Sequence, residues 1–516
     1  MRRIKRIVTI GCASGAVLIL LGSMVMYVAA RRSILPDSIN MSSSMDGMDM
    51  SGTDMSSMNM GTPGTPSPNA TPMSALVQGP SVAPVKRFTL TTQTATIDLG
   101  NGNKVDAYTY NGSVPGPELR VQQGDLVEVT LVNKLPVSTT IHWHGMKVPN
   151  AEDGVAGLTQ DAVKPGDSYT YRFVANDVGT YWYHSHQDTS AQLPRGLYGA
   201  IIVEPKNPPV HYDHDYTVVL HEWRTGGNCF STCPEILSIN NRADKIALDA
   251  KPGERVRLRI VAGGDEFHYP VLLGTPFKVI ALDGHDLNGP TDLSNIQLQI
   301  GMAQRYDLSF IMPAQGAVTL IDAAPRAMPE KQHPMAVIGA GDANVSYPDN
   351  LPIFDFTSYA QTAPDTITPQ SHFDGDYTMN LSEKFGFYNG GPTLTFPING
   401  LTYPNIPTIN VHEGDLVRIH FKNVGSIPHA MHLHGHYFSI LTHNGQPLSG
   451  SPVHLDTLII LGGESYDIAF LAENPGLWML HCHILAHDSQ GMDMMVNYPN
   501  IYTPYTIGRA SGNNPF

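Results

Sequence analysis

Cysteine is scarce in this chain: Cys12, Cys229, Cys233 and Cys482 are the only four in 516 residues. Cys229 and Cys233 form the one close pair. They suit a local disulfide outside the cytoplasm better than a metal site. Basic residues are also outnumbered, 31 Lys and Arg against 46 Asp and Glu, for a net charge of −15. That balance excludes a basic nucleic-acid-binding surface. No phosphate-binding loop and no Ser-His-Asp signature occurs, so neither chemistry has residues to carry it. Long amphipathic helical patterns are few, which argues against a helical body.

What the chain has instead is the punctuation of β structure. Its 48 Gly and 40 Pro suit many turns. Short alternating runs, such as Leu126 to Val132 and Val417 to Phe421, are flanked by Gly, Pro, Asn and Asp. Two stretches repeat each other in order and spacing. Gly124-Asp125-Leu126-Val127 precedes His142-Trp143-His144-Gly145, and Gly414-Asp415-Leu416-Val417 precedes His432-Leu433-His434-Gly435, at a constant offset of 290 residues. Further on, Gly179 to His186 parallels Gly476 to His483, with Ser185 where Cys482 stands. A middle unit keeps the scaffold signals, at Gly253 to Leu258 and Arg305 to Leu308, without the histidine pairs. Such self-similarity marks duplicated units. The expected fold is all-β: three Greek-key sandwich or barrel domains over 85–206, 207–345 and 346–516.

The N-terminal region reads differently. Met1 to Arg6 is basic, and Ile7 to Ala30 has no charge. As a helix those residues would span about 36 Å, enough for a hydrocarbon core of about 30 Å. Residues 1–30 are therefore expected to be a transmembrane anchor, or a signal segment cleaved after Val28-Ala29-Ala30. The basic leader predicts an exported body facing outside. Residues 31–84 read as a disordered linker, with seven Met and three Asp between Met41 and Met60 and a Pro-rich stretch after them. The clustered thioethers suit Cu(I), so copper capture by this tail stands beside an inert linker.

The chemistry concentrates in four His-x-His pairs: His142/His144, His184/His186, His432/His434 and His481/His483, the last enclosing Cys482. One such pair, or one Cys beside a His, is ordinarily packing. Four in one chain are not. On a strand each pair presents both rings on one face. Cys482 then points away from His481 and His483, so the backbone links two sites. Cys482, with His487 and Met492 just downstream, offers the thiolate, imidazole and thioether types of a blue-copper site, His2Cys with a weak axial Met. The eight paired imidazoles suffice for a further cluster.

These motifs resemble those of the three-domain multicopper oxidases: laccase-like enzymes, bacterial spore-coat laccases and periplasmic cuprous oxidases. The resemblance covers residues 85–500 and implies three cupredoxin domains with four copper ions. By position it assigns His429, Cys482 and His487, with axial Met492, to type 1 copper. It assigns His142 and His432 to type 2 copper. One type 3 copper takes His144, His184 and His483; the other takes His186, His434 and His481. Electrons would enter at type 1, pass through Cys482 to His481 and His483, and reduce O2 to water. Asp153 and Asp488 match acids of the family and are candidate proton donors or relays. Two departures stand out: Ala430 where the family often has Pro, and Leu485 where fungal relatives have an acid. The expected partners are O2, a small reductant (phenol, aromatic amine or low-valent metal ion) and a membrane through the N-terminal segment. A monomeric catalytic body and no nucleic acid are expected. A copper-sequestering or copper-delivery protein is the rival reading.

Overall fold

The computed structural model describes residues 22–42, 69–224, 235–323, 333–341 and 350–516. Strand sequences explain their own burial. In Leu126–Asn133, Val127, Val129 and Leu131 face the core while Glu128 and Thr130 lie nearer solvent. The strands form three pairs of sheets. In the first, Asn103–Tyr110, Val85–Gly100, Leu126–Asn133 and Ser168–Val174 make one sheet. Leu119–Gln122, Tyr198–Glu204, Gly179–His184 and His142–His144 make the other. The second and third pairs repeat a signature of the first. A leading strand runs parallel to the strand after the Gly-Asp or Gly-Glu turn, and that strand pairs antiparallel with a third. The central strands are Leu126–Asn133, Arg255–Ala262 and Leu416–Asn423. The middle unit, which has no histidine pairs, thus shares the topology of its neighbours.

The first sandwich has its own aromatic core around Trp143, Tyr171, Phe173 and Tyr183. One continuous apolar cluster spans the other two, from Leu258 and Ile300 to Trp478 and Cys482. Burying large apolar side chains across that seam joins the units.

Both ends of the segment read as a linker pack on the body. Ile39 bridges to Ile507. Asn40 Nδ2 donates to the Thr503 carbonyl at 2.9 Å. Thr71–Pro72 runs parallel to Ile501–Tyr502. Met41 and Met73 are buried with Met479, Met495 and Tyr403. The reason is local: each end carries a few apolar side chains that find a cluster. The Met-rich stretch from Met45 to Met60, the Pro-rich stretch to Pro68, Cys12, Cys229 and Cys233 lie outside the described residues. So does most of the uncharged run; residues 22–32 are helical. No helix among the described residues is long and apolar enough to cross a membrane.

Candidate metal centres

Two strand pairs deliver the histidines. His142–His144 lies against Gly179–His184 with His142 opposite His184. Trp143 points into the first core, so His142 and His144 share the other face. In the third unit His429–Leu433 lies against Leu477–Cys482, with His432 opposite His481 and Met431 opposite Cys482. Cys482 and Met431 enter the apolar cluster. His481 and His483 turn the other way, their ring centres 5.9 Å apart. The alternating segment therefore faces two sites.

On one side, ligand atoms of three residue sets converge within 4.8 Å: His142, His144 and His432; His144, His184 and His483; and His186, His434 and His481. Every set draws on both the first and third sandwiches. All these rings are buried. Their hydrogen bonds show what the remaining nitrogens are for. His142 Nδ1 donates to the Asp153 carbonyl at 2.9 Å. His184 Nδ1 donates to the Ser185 carbonyl at 2.9 Å, and His432 Nδ1 to that of Asp456 at 2.8 Å. His434 Nδ1 donates to Asp153 Oδ2 at 3.0 Å. The opposite nitrogens, Nε2 of His142, His184 and His432, have no hydrogen-bond partner; neither do both nitrogens of His186 and His483, or His144 Nδ1. Buried imidazole nitrogens left this way are costly unless something binds them. One tethered nitrogen and one free nitrogen per ring is how metal-ligating histidines are oriented.

On the other side, Cys482 Sγ lies 3.5 Å from His487 Nδ1 and 4.0 Å from His429 Nδ1. Met492 is fully buried in the same cluster, and the Cys482 N–H donates to its carbonyl at 3.0 Å. The Ala430 N–H donates to Cys482 Sγ at 3.4 Å. Phe396 stacks on His487 at 3.7 Å.

Electrostatics agree with ligation. Burial first, and crowded imidazoles second, hold His144, His184, His186, His432 and His434 far below the ordinary histidine range; for His483 burial is reinforced chiefly by His481. Burial lowers His429 to about 4 and His487 and His481 to about 3. These rings are neutral, as donors must be. Burial pushes the Cys482 thiol up to about 12; a coordinated metal cation would reverse that by deprotonating it.

Asp153 is wholly buried and touches His142 and His434 through its two oxygens, at 3.2 and 3.0 Å. Asp488 Oδ1 lies 3.6 Å from His481 Nδ1. Burial, then nearby Asp493, raises the Asp488 carboxyl well above the usual range. Three supporting residues escaped the sequence reading. Asp456 Oδ1 lies 3.1 Å from His144 Nε2. Arg305 from the middle unit grips both Asp456 oxygens at 2.7 and 2.6 Å and donates to the Thr180 carbonyl of the first unit. Asp283 accepts from the Arg305 and Thr457 backbone N–H groups. In the sequence Arg305 is only a repeat marker, since an isolated Asp or Arg carries no spacing signal.

The donor set fits copper: soft thiolate and thioether beside imidazole on one side, imidazole alone on the other. Multicopper oxidase family models match residues 91–208, 211–319 and 376–500. Multicopper oxidase MmcO of Mycobacterium tuberculosis is 29% identical over 462 residues, covering 80% of this chain and 86% of that one. A laccase of Cryphonectria parasitica is 29% identical over 496 residues, covering 81% and 82%. Among solved structures, a multicopper oxidase from Campylobacter jejuni described as a metallo-oxidase matches with TM-score 0.65 and 26% identity, covering 83% and 94%. Fold and donor set define a copper-dependent oxidoreductase built from cupredoxin units. The chain belongs to the multicopper oxidase family. It binds four coppers, one type 1, one type 2 and two type 3, and couples oxidation of a reducing substrate to reduction of O2.

Proposed function

We propose that His429, Cys482 and His487, with Met492 axial, hold the type 1 copper. His142 and His432 hold type 2. His144, His184 and His483 hold one type 3 ion, and His186, His434 and His481 hold the other. The observation that carries this reading is that six rings of the convergent sets, His142, His144, His184, His186, His432 and His483, each hold at least one buried nitrogen without a hydrogen-bond partner. When bound, the four ions supply one-electron oxidation of a small reductant and four-electron reduction of O2 to water. The chain supplies the rest. The backbone through Cys482 joins the two donor sets covalently, one residue to either side. Asp153 fixes the proton on His434 Nδ1, which aims the other nitrogen inward. Asp153 and Asp488 are the proton donors or relays that O2 reduction requires. Asp488 lies 3.6 Å from His481, and burial raises its hold on a proton, which supports that role.

The donor is a small reductant: a phenol, an aromatic amine or a low-valent metal ion such as Cu(I). The metallo-oxidase description of the Campylobacter relative favours the metal ion. The body works as a monomer outside the cytoplasm, held at the membrane by its uncharged N-terminal run. Cys482→Ser abolishes the blue absorption and O2 uptake while circular dichroism stays unchanged. A fully active Cys482→Ser protein ends the scheme. Sustained O2 consumption with Cu(I) or a phenol, well beyond the copper bound, separates an oxidase from a copper store.

A further inference from the structure

The helix over residues 22–32 leads into a segment fastened to one place on the body. The Gly390 N–H donates to Ser33 Oγ at 3.0 Å, and the Leu35 N–H reaches Asn389 Oδ1 at 3.4 Å. Ile34 lies against Gly390, where an added Cβ would meet its Cγ1 at 3.1 Å. Asn389 and Gly390 are the turn of a hairpin, Lys384–Tyr388 paired with Gly391–Thr395, that belongs to no larger sheet. The base of this hairpin frames the type 1 donors. Phe396, one residue beyond it, stacks on His487, and Thr393 Oγ1 donates to Gln490 Oε1 at 3.0 Å.

The hairpin and its surroundings expose apolar groups that a water-facing ribbon would not keep. Phe385 is 70% exposed, Leu394 36%, and Val424 in the neighbouring loop 64%. From Met24 to Ala30 the helix that reaches the hairpin carries no charged residue on any side, and Met24, Val25, Met26 and Tyr27 are all more than half exposed. A helix hydrophobic all round belongs in a core or in lipid. Nothing among the described residues covers it. It also closes the uncharged run that begins at Ile7. Only three residues lie between Ala30 and Ile34, four Cα steps that reach at most about 14 Å of extended chain. Wherever that run enters a bilayer, the hairpin is within that reach of the surface. Arg31, Arg32 and Lys384, all exposed, put cationic groups at the same level, where phospholipid headgroups lie.

Resting on the membrane-anchor reading above, we infer that the hairpin over residues 384–395 lies on the lipid bilayer and that the type 1 edge of the molecule faces the membrane. The body is then docked at a fixed attitude and does not swing on a long tether. Residues 33–42, fastened from Gly390 to Thr503, are the brace.

The four tryptophans, Trp143, Trp182, Trp223 and Trp478, are at most 3% exposed. A tryptophan placed at Phe385 is therefore the sole surface reporter. Full-length, copper-loaded Phe385→Trp and wild type are reconstituted into phosphatidylcholine–phosphatidylglycerol vesicles, with and without brominated acyl chains. Retention through alkaline extraction tests the anchor separately. The expected result is a retained chain whose Phe385→Trp emission falls about twofold more in brominated lipid than that of wild type. Leu394→Trp gives the same result if Phe385→Trp folds poorly. Ile311→Trp, on an exposed strand end of the middle unit, shows no added quenching. A retained chain with no added quenching at either hairpin position overturns the membrane-facing attitude and leaves the anchor standing. Equal quenching at Ile311 also overturns it. A chain released by extraction overturns the anchor and the attitude with it.

Discussion

Ala430 looks like a minor departure, a small residue where relatives often carry proline. Its backbone shows otherwise. Proline has no N–H, and the Ala430 N–H donates to Cys482 Sγ. The substitution therefore does more than loosen a loop; it adds a hydrogen bond to the sulfur. Such a bond withdraws charge from a thiolate and destabilises the oxidised metal relative to the reduced. Ala430→Pro lowers the type 1 reduction potential, measured by titration of the blue band. Met492→Leu removes the proposed axial ligand, a thioether that would favour Cu(II), so it raises the same potential; an unchanged or lower value removes this account of the axial residue. The type 1 site thus has two opposing adjustments, one from a backbone amide and one from a thioether.

The element that decides most is the strand Leu477–Cys482 with His483 just beyond it. Its two-faced character was legible because period-two alternation is local and needs no knowledge of the fold. The histidine pairs were legible for the same reason. Asp456, Asp283 and Arg305 were not: their meaning arises only when strands more than a hundred residues apart come together. The packed ends of the linker were hidden too, since Ile39, Met41 and Met73 are single apolar residues in polar surroundings. Gly154 belongs to this scale. At φ +78° it follows Asp153, and a Cβ there would fall 1.7 Å from the Ile141 carbonyl oxygen. Gly154→Ala must shift either Asp153 or the strand that starts at His142. The expected protein keeps its blue band but binds fewer than four coppers, counted by atomic absorption against protein concentration.

Across the whole molecule, the unit that carries none of the proposed copper donors supplies the brace between the two that carry them. Arg305→Leu leaves Asp456 and Asp283 buried without their cation, a loss of about 3–5 kcal/mol. Chemical denaturation and copper content should fall together. A second buried charge group lies within the middle unit: His268 sits between Glu222 at 2.6 Å and Asp322 at 2.7 Å. Burial opposes its charge, but the Glu222 carboxylate and the hydrogen bond His268 donates to Asp322 outweigh it and raise His268 to about 10. A raised folded value means the stabilisation is complete below the ordinary histidine range, near 6.5, and drains away as pH climbs to about 10. The unfolding midpoint of wild type should exceed that of His268→Gln at pH 6, and the gap should narrow by pH 10. The division of donors between units also sets an order of biogenesis. The proposed type 1 donors all belong to the last sandwich, whereas each of the three convergent histidine sets straddles the first and last. Under that assignment the blue centre takes all its donors from one sandwich, while metallation of the oxygen-reducing centre has to wait until the first and last have docked.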